Sequence, residues 1–441
     1  MTDGHKPAPF ASPYGIETLA IHAGASPDPT TGARNVPIYQ TNAYVFDDVD
    51  HAASLFNLQT FGYMYSRLTN PTVSALEEKV ATLEGGRGAV AAATGHAAQL
   101  LAMYTLMEPG ANFVASRNLY GGSLTQFAHT FKKFGWHVRF VDPADPENFR
   151  AAIDGDTKAV FLELLANPGG IVVDLEPVAA IAHEAGVPLI VDNTMATPYL
   201  CRPFEWGADI VIHSMTKFLG GHGAAMGGVV VESGAFDWAQ NDRFPGMTTP
   251  DPAYHGLTFY ETFGDFGFST KAKAVALRDL GPTLAPMNAF LITTGIESLP
   301  VRMDRHVQNA QAVAEYLAAH PAVAWVSYAG LKSSPHHKLA RKYLPKGPGS
   351  VFTFGVKGGY AAGTRLVEGV ELFSHLANIG DTRSLIIHPA STTHRQLSDD
   401  ERLAAGAGPD VIRLSIGLET IDDIIADLDQ ALSHAMAKAA E

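Results

Sequence analysis

Residues 211 to 223 read VIHSMTKFLGGHG. The apolar run ADIVI leads into this stretch and ends in a short polar turn holding Ser214, Thr216 and Lys217. A glycine-rich segment follows at once. A lysine at the end of a buried strand is an expensive residue to place. Burial disfavours the ammonium, lowers its pKa and leaves a nucleophilic amine. The two neighbouring hydroxyls can donate to a phosphate. A Schiff-base lysine beside a phosphate cup is what pyridoxal phosphate (PLP) requires. Taken alone, Ser-x-Thr-Lys reads more readily as a surface lysine in a βα turn, so the rest of the chain has to decide.

Upstream of the lysine, the runs NFVAS, HVRFVD, AVFLELL and PLIVDNT are short, apolar and rich in Val, Ile, Phe and Leu. Helical segments such as EPVAAIAHEAG separate several of them. TVSALEEKVATLEG has apolar residues at helical spacing and stops at Gly85 and Gly86. GAVAAATGHAAQLLAMYTLM reads as a strand, a glycine turn and a helix. This alternation predicts an α/β domain with a mostly parallel sheet. Ligands of such sheets bind beyond the carboxyl ends of the strands, where Thr94 to Ala97, Asn167, Asp192 and Ser214 to Lys217 lie.

Near residue 283 the pattern changes. AFLITTGIESLPVRMDRHVQNAQAVAEYLAAH reads as a long helical region broken at Pro300. Later strands (VAWVSYAG, GSVFTFGVKGG, DVIRLSIGLE) and a closing helix complete a second, smaller α/β domain. The expected division is an N-terminal arm over residues 1–62, a large domain over 63–282 and a small domain over 283–441. The arm is Pro- and Gly-rich, with little periodicity outside VDHAASLFNL. An arm of that length suggests a neighbouring subunit to pack on.

The composition excludes several classes. With 441 residues, 46% hydrophobic and 17% charged, the chain is neither disordered nor a single small core. A net charge of −14 with no basic tract argues against nucleic acid or an anionic membrane as partner. The single cysteine, Cys201, rules out an intrachain disulfide or a thiolate metal cage. No run approaches the roughly 20 apolar residues of a membrane span. The N-terminal stretch lacks the pattern of a signal peptide, so a cytoplasmic enzyme is expected.

A PLP enzyme needs further groups. A carboxylate beside the pyridine nitrogen keeps it protonated, and Asp192 in PLIVDNT is placed for that. It reads equally as a cap of the next turn. Main-chain N–H groups at a helix start bind phosphate, and Gly95 and His96 in ATGHAA supply them. Tyr120 in RNLYGGS offers a ring to stack, or ordinary packing. Tyr65 and Arg67 in YMYSRLTNPT are phosphate-capable donors, or parts of a surface loop. Arg413, in the apolar run VIRLSIGLE, needs an anion: a substrate carboxylate or a structural partner.

The order and joint presence of these elements closely resemble the Cys/Met-metabolism family of PLP enzymes. The resemblance runs from about IETLAIHAG to the last helix. It implies the PLP-dependent transferase fold of the aspartate aminotransferases (fold type I). It implies Lys217 as the Schiff-base lysine and Asp192 as partner of the pyridine nitrogen. Gly95 and His96 (main chain), Ser214 and Thr216 would hold the phosphate, joined by Tyr65 and Arg67 from a neighbouring subunit. Tyr120 would stack on the ring and Asn167 would touch its O3′ side. Arg413 and Asn378 would hold the substrate α-carboxylate. Lys217 would move protons, with Tyr120 or Tyr65 assisting. The site would need a dimer, and a homotetramer is the expected assembly.

Within that resemblance, four departures point one way. LYGGS carries Gly121 and Gly122 where γ-lyases have a cysteine. NIGDTRSLIIHPASTTH has Asn378 where lyases and cystathionine γ-synthases read Ser. ATGHAAQ lacks the methionine that lyases tend to place after the glycine. The segment over residues 236–264 is longer than in the lyases and is expected to shape the entrance. All four resemble the O-acetylhomoserine sulfhydrylases. That implies γ-replacement on O-acetylhomoserine by sulfide or a small thiol, giving homocysteine or methionine, without a metal. A γ-lyase or cystathionine γ-synthase of the same family is the rival reading. A non-catalytic binding module is a third, and the intact Lys217, Asp192 and Arg413 argue against it.

Overall fold

Asn70-Pro71 opens the helix that seats the large domain. The Asn70 side chain accepts from the Thr72 N–H at 3.0 Å, and Pro71 takes the first turn of the helix Pro71–Glu84. Gly85, at φ 75°, ends it in the left-handed conformation that glycine adopts freely. This computed structural model describes residues 13–166, 170–393, 395, 398, 402 and 406–437.

In chain order the strands are β1 (Gly88–Ala92), β2 (Asn112–Ser116), β3 (His137–Val141), β4 (Thr157–Glu163), β5 (Leu165–Ala166), β6 (Ile171–Val172), β7 (Leu189–Asp192), β8 (Ile210–Ser214) and β9 (Gly228–Glu232). The small domain adds β10 (Val323–Ser327), β11 (Val351–Val356), β12 (Ser374–His375), β13 (Leu385–Ile387) and β14 (Val411–Ser415). The main sheet has seven strands in the order β1-β9-β8-β7-β4-β2-β3. Neighbours from β8 to β3 pair in parallel. Strand β9 runs antiparallel to both its neighbours, β1 and β8. The sheet is therefore mostly parallel, as expected, with one reversed strand inserted near an edge.

Side chains alternate between two apolar layers, because strand residues point to opposite faces in turn. Val191 and Val211 enter one core with the helices Pro71–Glu84 and Leu175–Glu184. Ile190, Ile210 and Ile212 enter the other with the helix Gly95–Leu106. The small-domain sheet, in the order β10-β11-β14-β13-β12, packs against the helices Gly359–Gly369 and Ile421–Ala437. The first of the large-domain cores runs on through Leu299, Met303 and Val351, so apolar packing is continuous into the small domain.

One local outcome differs from the sequence reading. The helical region around Pro300 breaks at Ser298, between the helices Pro286–Glu297 and Leu299–Ala319. Pro300 sits in the first turn of the second helix, where its missing N–H costs nothing. The segment over 236–264 divides: Tyr254 and Phe263, in its later part, lie with Phe61 by the groove of Tyr65 and Arg67, while its first part covers the amino ends of the strands. Asn241 donates to Gly186 O, and Arg243 donates to the carbonyls of Asp154, Gly155 and Thr157. Those carbonyls precede or begin β7 and β4, at the edge opposite the carboxyl ends. Phe236, Trp238 and Phe244 are buried against each other and Phe268, so aromatic burial pins this first part there.

Candidate active site

At the carboxyl end of β8 the chain turns tightly. Lys217 N–H donates to Ser214 O at 3.1 Å, and Gly221 N–H donates to Lys217 O at 2.7 Å. The Lys217 side chain lies mostly buried, and its amine donates to Asn378 Oδ1 at 2.5 Å. Burial, and then the positive charge of Arg413, push its pKa down to about 8. An appreciable fraction of the amine is therefore neutral near pH 7 to 8, as a nucleophile or proton acceptor must be.

One strand-end away, the helix Gly95–Leu106 presents its first N–H groups. Thr94 caps it by accepting from the Ala97 N–H at 3.1 Å. The N–H groups of Gly95 and His96 have no partner among the described residues, nor has the Ser214 hydroxyl. A Cβ on Gly95 would lie 2.8 Å from Ser214 Cβ, so only glycine lets the two elements meet here. Thr216 is engaged with Gly227: its hydroxyl donates to Gly227 O at 3.2 Å and accepts from Gly227 N–H at 3.1 Å. Burial lowers the His96 side-chain pKa, with Asp192 opposing the shift.

Asp192 ends β7. It accepts from the Thr194 N–H at 3.0 Å and from the Gln99 amide at 3.4 Å. The capping reading of this residue is thus realised. Burial raises its pKa, and it forms no ion pair with any described residue. A carboxylate so placed is poised for a cationic ligand group.

Tyr120 is half exposed. Its ring centroid lies 5.8 Å from that of His96, and its N–H donates to Glu163 Oε1 at 2.6 Å. Arg413, on β14, is partly buried and donates to Asn378 O at 3.2 Å. Burial pushes its pKa down to about 10, with Tyr120 opposing. Asn378 therefore touches Lys217 through its side chain and Arg413 through its carbonyl. Tyr65 and Arg67 are not brought to the lysine in this chain. The Arg67 guanidinium lies 5.5 Å from the Tyr65 ring centroid, and both line a separate groove of about 1250 Å³ with Phe61, Tyr63 and Phe266. Asn167 lies outside the described residues.

Residues 17–433 match the family model described as "Cys/Met metabolism PLP-dependent enzyme". The chain belongs to this family. It is 51% identical over 427 residues to the O-acetyl-L-homoserine sulfhydrylase of Leptospira meyeri, covering 95% of this chain and 96% of that one. It is 50% identical over 420 residues to O-acetyl-L-homoserine sulfhydrylase 1 of Thermus thermophilus, covering 95% and 100%. A Campylobacter jejuni structure described as an O-acetylhomoserine (thiol)-lyase superposes with a TM-score of 0.92 at 43% identity, covering 95% of this chain and 100% of that one. That structure carries an N′-pyridoxyl-lysine-5′-monophosphate.

The cofactor of this Cys/Met-metabolism family fits the groups present. An amine of lowered pKa suits its aldehyde. Two unpaired N–H groups and a hydroxyl at a helix start suit its phosphate. A buried carboxylate without a cation suits its ring nitrogen. Two contacts that matter here escaped the sequence reading. Gln99, one turn into the helix, donates both to Asp192 and to Ser123 Oγ at 2.9 Å. Its signal was a glutamine inside the otherwise apolar AAQLLAM. Thr194 accepts the Ser214 N–H at 2.8 Å and so ties the end of β7 to that of β8.

Proposed function

We propose that this chain catalyses γ-replacement on O-acetyl-L-homoserine. Sulfide, or a small thiol, displaces acetate and gives L-homocysteine, or methionine. The observation that carries the reading is Asn378, bonded at once to the Lys217 amine and to Arg413. It sets a proton-transferring amine beside a guanidinium that can hold an α-carboxylate. The names of the similar proteins supply the substrate class.

When bound, PLP supplies a ring that accepts electron density from the substrate's α-carbon. In this reading Lys217 Nζ takes the α-proton and returns protons later, which its lowered pKa permits. Arg413 fixes the carboxylate in a charge-assisted, bidentate geometry. Asn378 holds the free amine between proton transfers. Asp192 pairs with the ring nitrogen, and Tyr120 covers the ring. Gly95, His96 and Ser214 hold the phosphate, and Thr216 joins them by turning its proton away from Gly227 O. Asn167 borders the ring's O3′ side.

Tyr65 and Arg67 complete the phosphate site of a neighbouring subunit. Their place in a groove apart from Lys217 supports that reading. It implies a dimer at least, with a homotetramer as the proposed assembly. The arm over 1–62 would pack on the neighbour, the division at residue 283 would separate the large and small domains, and the enzyme would work in the cytoplasm. No described helix is long and apolar enough to cross a membrane.

The test is purified, PLP-loaded protein given O-acetylhomoserine with and without sulfide. Homocysteine formed only with sulfide supports the proposal. Keto acid and ammonia in both conditions would make the chain a γ-lyase. Turnover of the succinyl ester with cysteine, in place of these, would make it a cystathionine γ-synthase.

A further inference from the structure

Arg302, on the helix Leu299–Ala319, is only 5% exposed. Its guanidinium donates to Phe218 O at 2.8 Å, Gly295 O at 2.7 Å and Leu219 O at 3.3 Å. Its Nε donates to Ser298 Oγ at 3.1 Å. It forms no ion pair with any described residue, and burial alone pushes its pKa down to about 10. A cation buried among neutral carbonyls is a poor source of stability. Its position suggests another role, because Phe218 and Leu219 are the two residues that follow Lys217.

The turn that carries Lys217 is closed from within by three main-chain bonds: Lys217 N–H to Ser214 O, Gly220 N–H to Met215 O and Gly221 N–H to Lys217 O. Its exit carbonyls are held by Arg302. The fit is tight. A Cβ on Gly221 would lie 2.2 Å from Arg302 Nη1, and one on Gly295 would lie 2.1 Å from Gly220 O. Farther along the same helix, the His306 ring meets Phe218 edge-on at 5.3 Å and its Nδ1 bonds Ile416 O at 2.7 Å. Asn309 donates to Gly417 O and Glu419 O, both at 3.0 Å. Ile416 and Gly417 directly follow β14, which carries Arg413. One helix thus grips the chain after Lys217 and the chain after Arg413.

We propose that Arg302 is a positioning residue for Lys217. Its buried guanidinium fixes the Phe218 and Leu219 carbonyls, and through them the place of the Lys217 amine relative to Asn378 and Arg413. The activity arm of the test rests on the function proposed above; the other arms do not.

The experiment compares Arg302→Met and Arg302→Lys with the unaltered enzyme, all full-length and PLP-loaded. It measures hydrogen exchange at the Gly220 and Gly221 amides, the rate at which borohydride traps the cofactor, and kcat and KM for O-acetylhomoserine with sulfide. For Arg302→Met we expect faster exchange at those two amides and altered trapping. We also expect kcat per bound cofactor to fall on the order of tenfold to a hundredfold, as for a displaced reacting group. KM should move less than about threefold. Arg302→Lys, whose ammonium can reach some of the same carbonyls, should recover part of each loss. Unchanged exchange, trapping and kcat in Arg302→Met, with only a lower Tm, would overturn the proposal. Should Arg302→Met fail to fold, Arg302→Lys decides. Loosened exchange with full kcat overturns the proposal, and loosened exchange with reduced kcat supports it. Absence of sulfhydrylase turnover in the unaltered enzyme would defeat the functional reading, while exchange and trapping would still decide the role of Arg302.

Discussion

Replacing Lys217 by methionine should stabilise the cofactor-free protein at neutral pH. The amine's pKa falls from its ordinary 10.5 to about 8, mainly through burial and secondarily through Arg413. That drop corresponds to roughly 3 kcal/mol by which folding disfavours the ammonium. The substitution also removes the bond to Asn378 Oδ1, a loss of about 1 kcal/mol. The net expectation at pH 7 is a gain of about 2 kcal/mol, or a rise of a few degrees in Tm. The sign follows from linkage. Between pH 8 and 10.5 the unfolded lysine holds its proton while the folded one has released it, so raising pH stabilises the unaltered protein relative to the variant. By about pH 9.5 the penalty has shrunk to roughly 1 kcal/mol and the two proteins should melt together. The assay is thermal unfolding of both stripped proteins at matched subunit concentration, at the two pH values. A variant less stable at pH 7, or a difference that ignores pH, would show that burial does not disfavour this ammonium.

Lys217→Ala should abolish turnover while PLP still binds; borohydride should then fail to fix the cofactor to the chain, and near-normal turnover would remove the lysine from the mechanism. Arg413→Ala should mainly raise KM for O-acetylhomoserine, by about tenfold or more, since charge-assisted hydrogen bonds contribute roughly 1.5–3 kcal/mol. An unchanged KM would make Arg413 structural. In Gly295→Ala the new methyl would lie 2.1 Å from Gly220 O, a backbone atom that cannot move without shifting the lysine turn. Destabilisation of about 1–3 kcal/mol is expected, and an unaltered melting curve would refute it.

The fold class was legible because alternating strands and helices report locally on layer architecture. Lys217, Ser214 and Gly95 were legible because each belongs to a short motif at a strand end. The direction of β9 was not: GVVVE has the same pattern whichever way it runs, and the connection alone sets its sense. The place of residues 236–264 was not legible either. Length shows that an insertion exists, while the carbonyls that Arg243 meets decide which edge its first part covers. Gln99 and Arg302 stayed hidden for another reason. Each acts on a residue far away in sequence: the apolar setting of Gln99 in AAQLLAM marks it as inward-facing but not what it meets, and nothing local marks Arg302.

The reversed strand also constrains how this protein is made. Strand β1 has one neighbour in the sheet, β9, and the chain from Ala92 to Gly228 separates them. At about 5–20 residues per second a ribosome takes on the order of ten seconds to deliver that partner. Throughout that interval the apolar GAVAA edge has emerged without its ladder, and its pairing is long-range by construction. The nascent chain therefore carries an open β edge until the whole parallel half of the sheet has been synthesised. Insertion of β9 is the event that leaves β1 a single open edge in place of two.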